Sequence, residues 1–492
     1  MPELITKVKN VGARKHPDYD AKVNIWNFLL ASYRGGMGMQ DRFGGEGWRD
    51  KTKLKGYYAG LFKWRKENED DYLNRVAVTP YRPYARRILV AFANYATKEE
   101  PTRTHAESFK DFLADVDGKN TPMINFVRHC LIMNACLGEF NVLVDMPTVD
   151  EQNPPNSKAD EEARGLRPYC VPLMPHDIVD WSIGSDGRYE WVLIENRRVI
   201  NKPDEDEAHE EVTRTYWDKQ QFIAYKKEEK KWVMIDKPKP HPCGRVPVLH
   251  IVYEDADNDP LTPESWFYDL ADMNRLIYNL DSIDVENFAT QGHGQLILPG
   301  HNEEDIKKAS TSEAWTEDKD ERGISRYIQP SGIEHEKIEN KILNTRSEMY
   351  RVAGLNHRTD SKDAESAEAK AWDFEEVNQF LKAFASTGGH IEEELTDIAA
   401  KWESTSGKGI ESKYPTDFSV REISKIIEGI LDLKQIGWTS ETGRKEAIKD
   451  AYRGLFPNLT NDLKNKIDTE IDASVESNPL GDLAGVLTGD NV

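Results

Sequence analysis

Two long stretches of helical apolar spacing, separated by a short mixed segment and a polar loop, restrict the fold of this chain more than any other feature. Between Thr262 and Gly292, the residues Trp266, Leu270, Met273, Ile277 and Leu280 recur at 4-3-4-3 spacing. That is one apolar stripe on a 3.6-residue period. Thr262 is placed to cap the helix, Pro263 to take its first position and Gly292 to end it. A helix of about 29 residues is about 43 Å long at the usual rise per residue. The rest of its surface carries Glu264, Asp269, Asp272, Asp281, Asp284 and Glu286 against a single Arg275.

A second helix is expected over 333–353, with Ile338, Ile342, Thr345, Met349 and Val352 on one face and Gly354 as its stop. After the polar loop LNHRTDSKDAES, a third runs over 366–402 with Val377, Leu381, Phe384, Ile391, Leu395, Ile398 and Trp402 in register. Gly388 and Gly389 interrupt that face, at a cost of about 1 kcal/mol per glycine, and a kink is expected there. The segment between the first two helices is mixed, with a strand-like QLILPG, a polar loop around Trp315 and then GISRYIQP. Long helices joined through so small a module expose more surface than one neighbour can cover. Repetition around an axis answers this, because a heterologous contact that closes into a ring lets each helix pack on the next subunit. The plain alternative is a helical hairpin within an ordinary α+β domain.

The remainder is globular but polar. At roughly 150 residues per domain, 492 residues suggest about three domains or one large core with insertions. Hydrophobic residues at 38% and aromatics at 10% exclude a wholly disordered chain. NIWNFLLASY and PYRPYARRILVAFANYA read as helices in an aromatic, basic region, and 120–143 as a helix running into the strand NVLVDMP. PTVDEQNPPNSKADEEARG is a surface insertion or a disordered loop, and 168–253 is rich in short strands and hairpins. A strand TDFSV and two amphipathic helices, REISKIIEGILDLKQIG and SETGRKEAIKDAYRGLF, follow the third long helix, and the last thirty or so residues look frayed.

Several function classes are disfavoured. The net charge of -22 speaks against a protein that grips nucleic acid over a broad basic face. RGGMGMQDRFGGEG lacks the GK[ST] and the preceding strand of a phosphate cradle, and GxSxG, HExxH and EF-hand patterns are absent. Cys130, Cys136, Cys170 and Cys243 form no CxxC pair, His241-x-Cys243 sits in a turn before a strand, and His293 is flanked by glycines as in a loop. Buried, reduced thiols are expected, with no metal or other cofactor. The N-terminus lacks a signal-peptide core, and the best apolar run, 123–144, is broken by Arg128, His129 and Glu139. No membrane anchor is expected.

With YLNRVAVTPYRPYARRILVAFANYA, PESWFYDLADMNRLIYNLDSIDVENFATQGHGQLILPG and SAEAKAWDFEEVNQFLKAFA in this order, the chain resembles the portal proteins of tailed bacteriophages. The likeness lies in element order and residue character over most of the chain, not in a short motif. It implies an α+β, portal-like fold assembled as a ring, twelve-fold in the virion. On that pattern 1–255 is the N-terminal part of the wing, 256–292 the first stem helix, 293–332 the clip and 333–354 the second stem helix. Residues 355–366 are the tunnel loop, 367–403 the kinked tunnel helix, 404–421 a wing return strand, 422–460 the crown and 461–492 a flexible C-terminal tail. A long coiled-coil barrel at the C-terminus is lacking.

The resemblance implies a non-enzymatic ring at one capsid vertex, assembled in the host cytoplasm, through which double-stranded DNA is packaged and ejected. ATP hydrolysis would belong to the large terminase subunit, which with the head-tail adaptor, the major capsid protein and the scaffolding protein would be its partners. Asp269, Asp272, Asp281, Asp284 and Glu286 would line the channel with repelling charge, and His357, Arg358 and Lys362 of the tunnel loop would face DNA. Trp315 would be a clip contact. Two alternatives stay open: another virion assembly ring such as a head-tail connector, and an enzyme of unrecognised family with an acidic, metal-binding cleft.

Overall fold

The computed structural model describes residues 8–39, 60–147, 164–201, 209–229, 231–253, 264–291, 295–299, 315–317, 326–328, 333–355, 367–403, 409–415, 440–455 and 461–473, with 157, 160, 203 and 418 as isolated positions. The chain divides into two units, 1–99 with 103–415, and 100–102 with 416–492. Its class is α+β, as the sequence suggests.

The first unit is built around a largely buried helix. Helices α1 (Tyr19–Arg34), α2 (Glu69–Val78), α3 (Tyr84–Ala96) and α4 (Met123–Leu137) follow one another in the chain. In α4, MINFVRHCLIMNACL buries Phe126, Val127, Cys130, Leu131, Met133, Cys136 and Leu137, which makes it a core element rather than an amphipathic surface helix. Gly138, at a left-handed φ of 81°, stops it and turns the chain into a strand.

In chain order the strands are β1 (Thr102–Thr104), β2 (Glu139–Asp145), β3 (Tyr169–Leu173), β4 (Ile178–Ile183), β5 (Tyr189–Ile200), β6 (His209–Trp217), β7 (Gln221–Glu228), β8 (Lys231–Met234), β9 (Lys239–Pro240) and β10 (Val248–Val252). β2 runs antiparallel between β10 and β3 with Phe140, Val142 and Val144 fully buried, and the buried Asn141 among them accepts from the Tyr189 hydroxyl at 2.9 Å. β4 to β8 form an antiparallel meander, with β9 added on β7. Trp217, Val192, Ile194 and Tyr189 from this sheet meet Leu143, Leu173, Val246 and Val248 in one apolar cluster. The hairpin-rich reading of 168–253 therefore holds.

Helix α5 (Tyr268–Gln291) then leads to β11 (Gln295–Pro299), β12 (Trp315–Glu317) and β13 (Arg326–Ile328), and these to α6 (Ile333–Val352) and α7 (Ala367–Trp402), with β14 at Glu411–Lys413. β11 is central, parallel to β12 and antiparallel to β13. Trp315 thus lies on a strand, where the polarity of its neighbours suggests a loop. TDFSV is described only at Phe418, and the strand of this region is β14 instead.

In the second unit, α8 (Glu441–Leu455) and α9 (Asn461–Ala473) are joined by Lys449 Nζ on Asp472 Oδ1 at 2.8 Å and Lys445 Nζ on the Asp472 carbonyl at 3.0 Å. The frayed tail expected over 461–492 is helical at Asn461–Ala473, where Leu463, Ile467 and Ile471 recur at 4-4 spacing. REISKIIEGILDLKQIG lies outside the described residues.

Candidate functional site

The first long helix begins later than Thr262 suggests. Tyr268 is its first residue, and the turn before it is tied down by Ser265, whose hydroxyl donates to the Cys136 carbonyl at 2.6 Å and accepts from the Phe267 N–H at 3.1 Å. Thr262, Pro263, Gly292 and His293 lie outside the described residues. Leu270 and Ile277 are buried as the stripe predicts, and Asn274 and Asp281 are buried on the same face, while Asn279 and Ser282 are buried on other sides of the helix.

Those polar residues are pegs between α5 and the chain over 60–85. Asn274 Oδ1 accepts from the Ala85 N–H at 3.0 Å and its amide donates to the Arg82 carbonyl at 2.9 Å. Asn279 Oδ1 accepts from the Phe62 N–H at 2.9 Å, and its amide donates to the carbonyls of Gly60 at 3.0 Å and Arg275 at 2.9 Å. Ser282 Oγ accepts from Arg75 at 2.7 Å, and Arg75 in turn forms a buried, forked pair with Glu67. The guanidinium fork holds the Glu67 carboxyl below its ordinary range. Such pegs satisfy buried backbone groups and so fix one register of helix on loop. Sequence reasoning missed them, although Asn274 and Asp281 sit in helical register with Leu270 and Ile277.

Beyond the covered part, α5 pairs with α6. Ile342, Thr345 and Met349 are the buried face of α6, as its spacing predicts. Gly354 ends it at φ 69°, with the Leu355 N–H on the Tyr350 carbonyl at 2.7 Å and the Gly354 N–H on Arg351 at 2.9 Å, a Schellman closure. His335 Nδ1 bonds Asp284 across the two helices, and this carboxylate raises the His335 pKa. Phe288 continues the inward register of Leu270, Ile277 and Asp281 but is 72% exposed, and Leu276, Ile333 and Leu343 are exposed too.

The acidic residues of α5 separate into two groups. Asp269, Asp272 and Glu286 are exposed, and Asp272 pairs with Arg275 one turn away. Asp281 is buried, 3.3 Å from Arg82 Nε, and desolvation raises its pKa against the pull of that arginine. Its carboxylate is turned into the subunit and does not contribute to an acidic wall. Asp284 is half-buried and committed to His335.

Helix α7 runs without a break through Gly388 and Gly389. A Cβ on Gly389 would lie 2.8 Å from the Ser412 carbonyl oxygen, so close approach of backbone requires glycine there. At Gly388 the nearest atom is Val127 Cγ1 at 3.3 Å. Just beyond, Glu392 accepts from Arg103, Ser412 and Tyr414, Glu393 from the Ser412 N–H at 2.9 Å, and Glu394 from Arg245 at 2.6 Å and Arg188 at 2.9 Å. Three successive glutamates thus anchor this end of α7 to β1, to β14 and to the loops that carry Arg188 and Arg245.

His357, Arg358 and Lys362 lie outside the described residues, and of Trp315 the backbone alone is described. The four cysteines are buried thiols, and burial pushes Cys243 up to about 12. His241 Nε2 sits 2.8 Å from the Asp218 carbonyl, in the turn where the sequence places it. Among the described residues no three His, Cys, Asp or Glu side chains come together as a metal-holding group, and no helix is long and apolar enough to cross a membrane.

No protein-family model matches the chain, and no curated protein matches it. Among solved structures it is similar to a chain of "Neck of native GTA particle computed with C12 symmetry", at 12% identity and a TM-score of 0.40 over 74% of this chain and 89% of that one. At that TM-score the likeness carries no argument about what this chain does.

Proposed function

We propose that this chain is a phage-type portal protein: a ring at one capsid vertex, without catalysis of its own, through which double-stranded DNA passes during packaging and ejection. The observation that carries the reading is the α5–α6 hairpin joined through the small β11–β13 sheet, with Phe288, Leu276, Ile333 and Leu343 left uncovered. Uncovered apolar side chains on paired long helices call for a neighbour, and a second copy related by rotation supplies the same surface again at every step around a ring.

The chemistry of the exposed acids suits passage rather than grip. Each basic contact to phosphate adds affinity that must be broken when DNA advances, whereas Asp269, Asp272 and Glu286 on a channel wall would repel the duplex and keep it central. His357, Arg358 and Lys362 would supply brief phosphate contacts. The β11–β13 module, with Trp315 on its strand, would meet the large terminase subunit and later the head-tail adaptor, while the major capsid and scaffolding proteins would meet the outer wing.

Light scattering on the purified chain tests this, with images of the same sample. Twelve copies of the 56.3 kDa chain weigh roughly 676 kDa and should show a central hole. A monomer or dimer at every concentration would overturn the reading. Serine at both Phe288 and Leu343 should shift the population to smaller species while each chain stays folded.

A further inference from the structure

Residues 11–16 lie as a strap across the β4–β8 sheet, held by contacts to its backbone as well as its side chains. Arg214 donates to two strap carbonyls, Gly12 at 2.8 Å and Arg14 at 3.0 Å, while Glu195 and the ring of Trp232, 4.3 Å away, hold the guanidinium. The His16 N–H donates to the Val179 carbonyl at 2.8 Å. Arg14 Nε reaches the buried Asp180 carboxylate at 2.9 Å and its guanidinium lies 4.9 Å over Trp191. Gly12 fits where a Cβ would come within 2.9 Å of the Tyr225 ring, and the His16 ring stacks on Trp181 at 3.8 Å. Donors for carbonyls, an acceptor for an N–H, and an acidic, aromatic seat for one arginine are what recognition of a short peptide requires.

We propose that this face is a peptide-recognition groove, and that in the assembled ring it takes the 11–16 strap of a second copy. The occupant follows from the complementarity already present: Arg14 is basic, the floor holds Asp180 and Glu195, and Pro17 and Asp18 connect the strap to α1. Exchange replaces each contact with an identical one, so contact energy does not oppose it and local concentration decides. A chain held in a ring has neighbouring straps at high effective concentration, and exchange staples adjacent subunits. The inference rests on the ring reading.

Two variants separate strap from groove: R14A weakens the strap and leaves the groove, and R214A does the reverse. Trypsin cleavage of the Lys15–His16 bond, followed by mass spectrometry, reports strap release for each variant individually. Alone, each should be cut about tenfold faster than wild type, equal to about 1.4 kcal/mol of lost docking. In an equimolar mixture the R214A strap should regain protection by docking on R14A chains, while the R14A strap stays labile. Cleavage of the R214A strap in the mixture at the rate seen alone overturns the exchange. Light scattering on that mixture keeps the two readings apart: an assembled sample without rescue sinks exchange only, and a monomeric one sinks the ring as well. A fluorescent peptide of residues 8–18 gives a second reading on folded R14A chain. It should bind saturably and at least about tenfold more weakly with its own Arg14→Ala change; equal binding overturns the groove.

Discussion

Arg103 and Glu392, far apart in sequence, form a forked ion pair at 2.9 and 3.0 Å inside the first unit, and the Ser412 and Tyr414 hydroxyls complete the carboxylate's shell at 2.7 and 2.8 Å. Glu392 is fully buried, so its charge is tolerable only because four donors converge on it. Burial and that neighbouring carboxylate push the Tyr414 hydroxyl far above its ordinary pKa, which keeps it a donor at any physiological pH. The pair fixes where the far end of α7 sits.

Removing one partner should therefore cost more than removing both. Glu392→Ala leaves Arg103 and two hydroxyls without an acceptor and should lower unfolding free energy by about 3 kcal/mol. Arg103→Met with Glu392→Gln should cost less than the sum of the single changes, as urea denaturation of the double-mutant cycle would register. Additive losses would deny the coupling.

The adjacent glycines should respond differently to alanine. Gly389→Ala drives a Cβ into the Ser412 carbonyl and should cost about 1–3 kcal/mol, while Gly388→Ala meets side-chain atoms of Val127, Leu131 and Tyr414 at 3.3–3.5 Å and gains up to about 1 kcal/mol of helix propensity, so it should be near neutral. Thermal midpoints of both variants decide this. Equal responses would deny that the close approach to Ser412 is what requires glycine at 389.

Asn279 is the peg whose loss leaves most behind. Asn279→Ala orphans the Phe62 N–H and the Gly60 carbonyl in the interior and should destabilise the first unit by about 1–3 kcal/mol. Asn279→Asp keeps the acceptor but loses both donors and adds a buried charge, and should do no better. Hydrogen exchange at Phe62 should rise in both.

The His335–Asp284 bond makes the α5–α6 hairpin sensitive to pH in one direction. The carboxylate raises the folded pKa of His335 above its unfolded value of about 6.5. Its contribution is then fully present below about pH 6.5 and is lost as pH rises through the raised folded value. Stability of wild type should fall across that window relative to His335→Ala, whose profile should be flatter; the same slope in both would assign the effect elsewhere.

Much of the architecture was legible in spacing. The stripes over 262–292 and 333–353 place α5 and α6, the meander follows from short apolar runs between turns, and Gly138 and Gly354 stop helices because only glycine takes positive φ freely. Periodicity reports which face of an element is buried. It does not report what covers that face, so the bonds of Asn274, Asn279 and Ser282 to the chain over 60–85 have no signal in spacing. The resemblance, likewise, counts Asp281 among the channel-lining acids, although its carboxylate is buried beside Arg82.

By itself, then, the sequence determined element type, order and polarity, because those depend on residues close along the chain. Tertiary structure alone decided the partners of charge: Arg103 with Glu392, Arg245 with Glu394, Arg14 with Asp180. A buried carboxylate and a surface one have the same local pattern, and they differ only in the distant donors that folding brings to them.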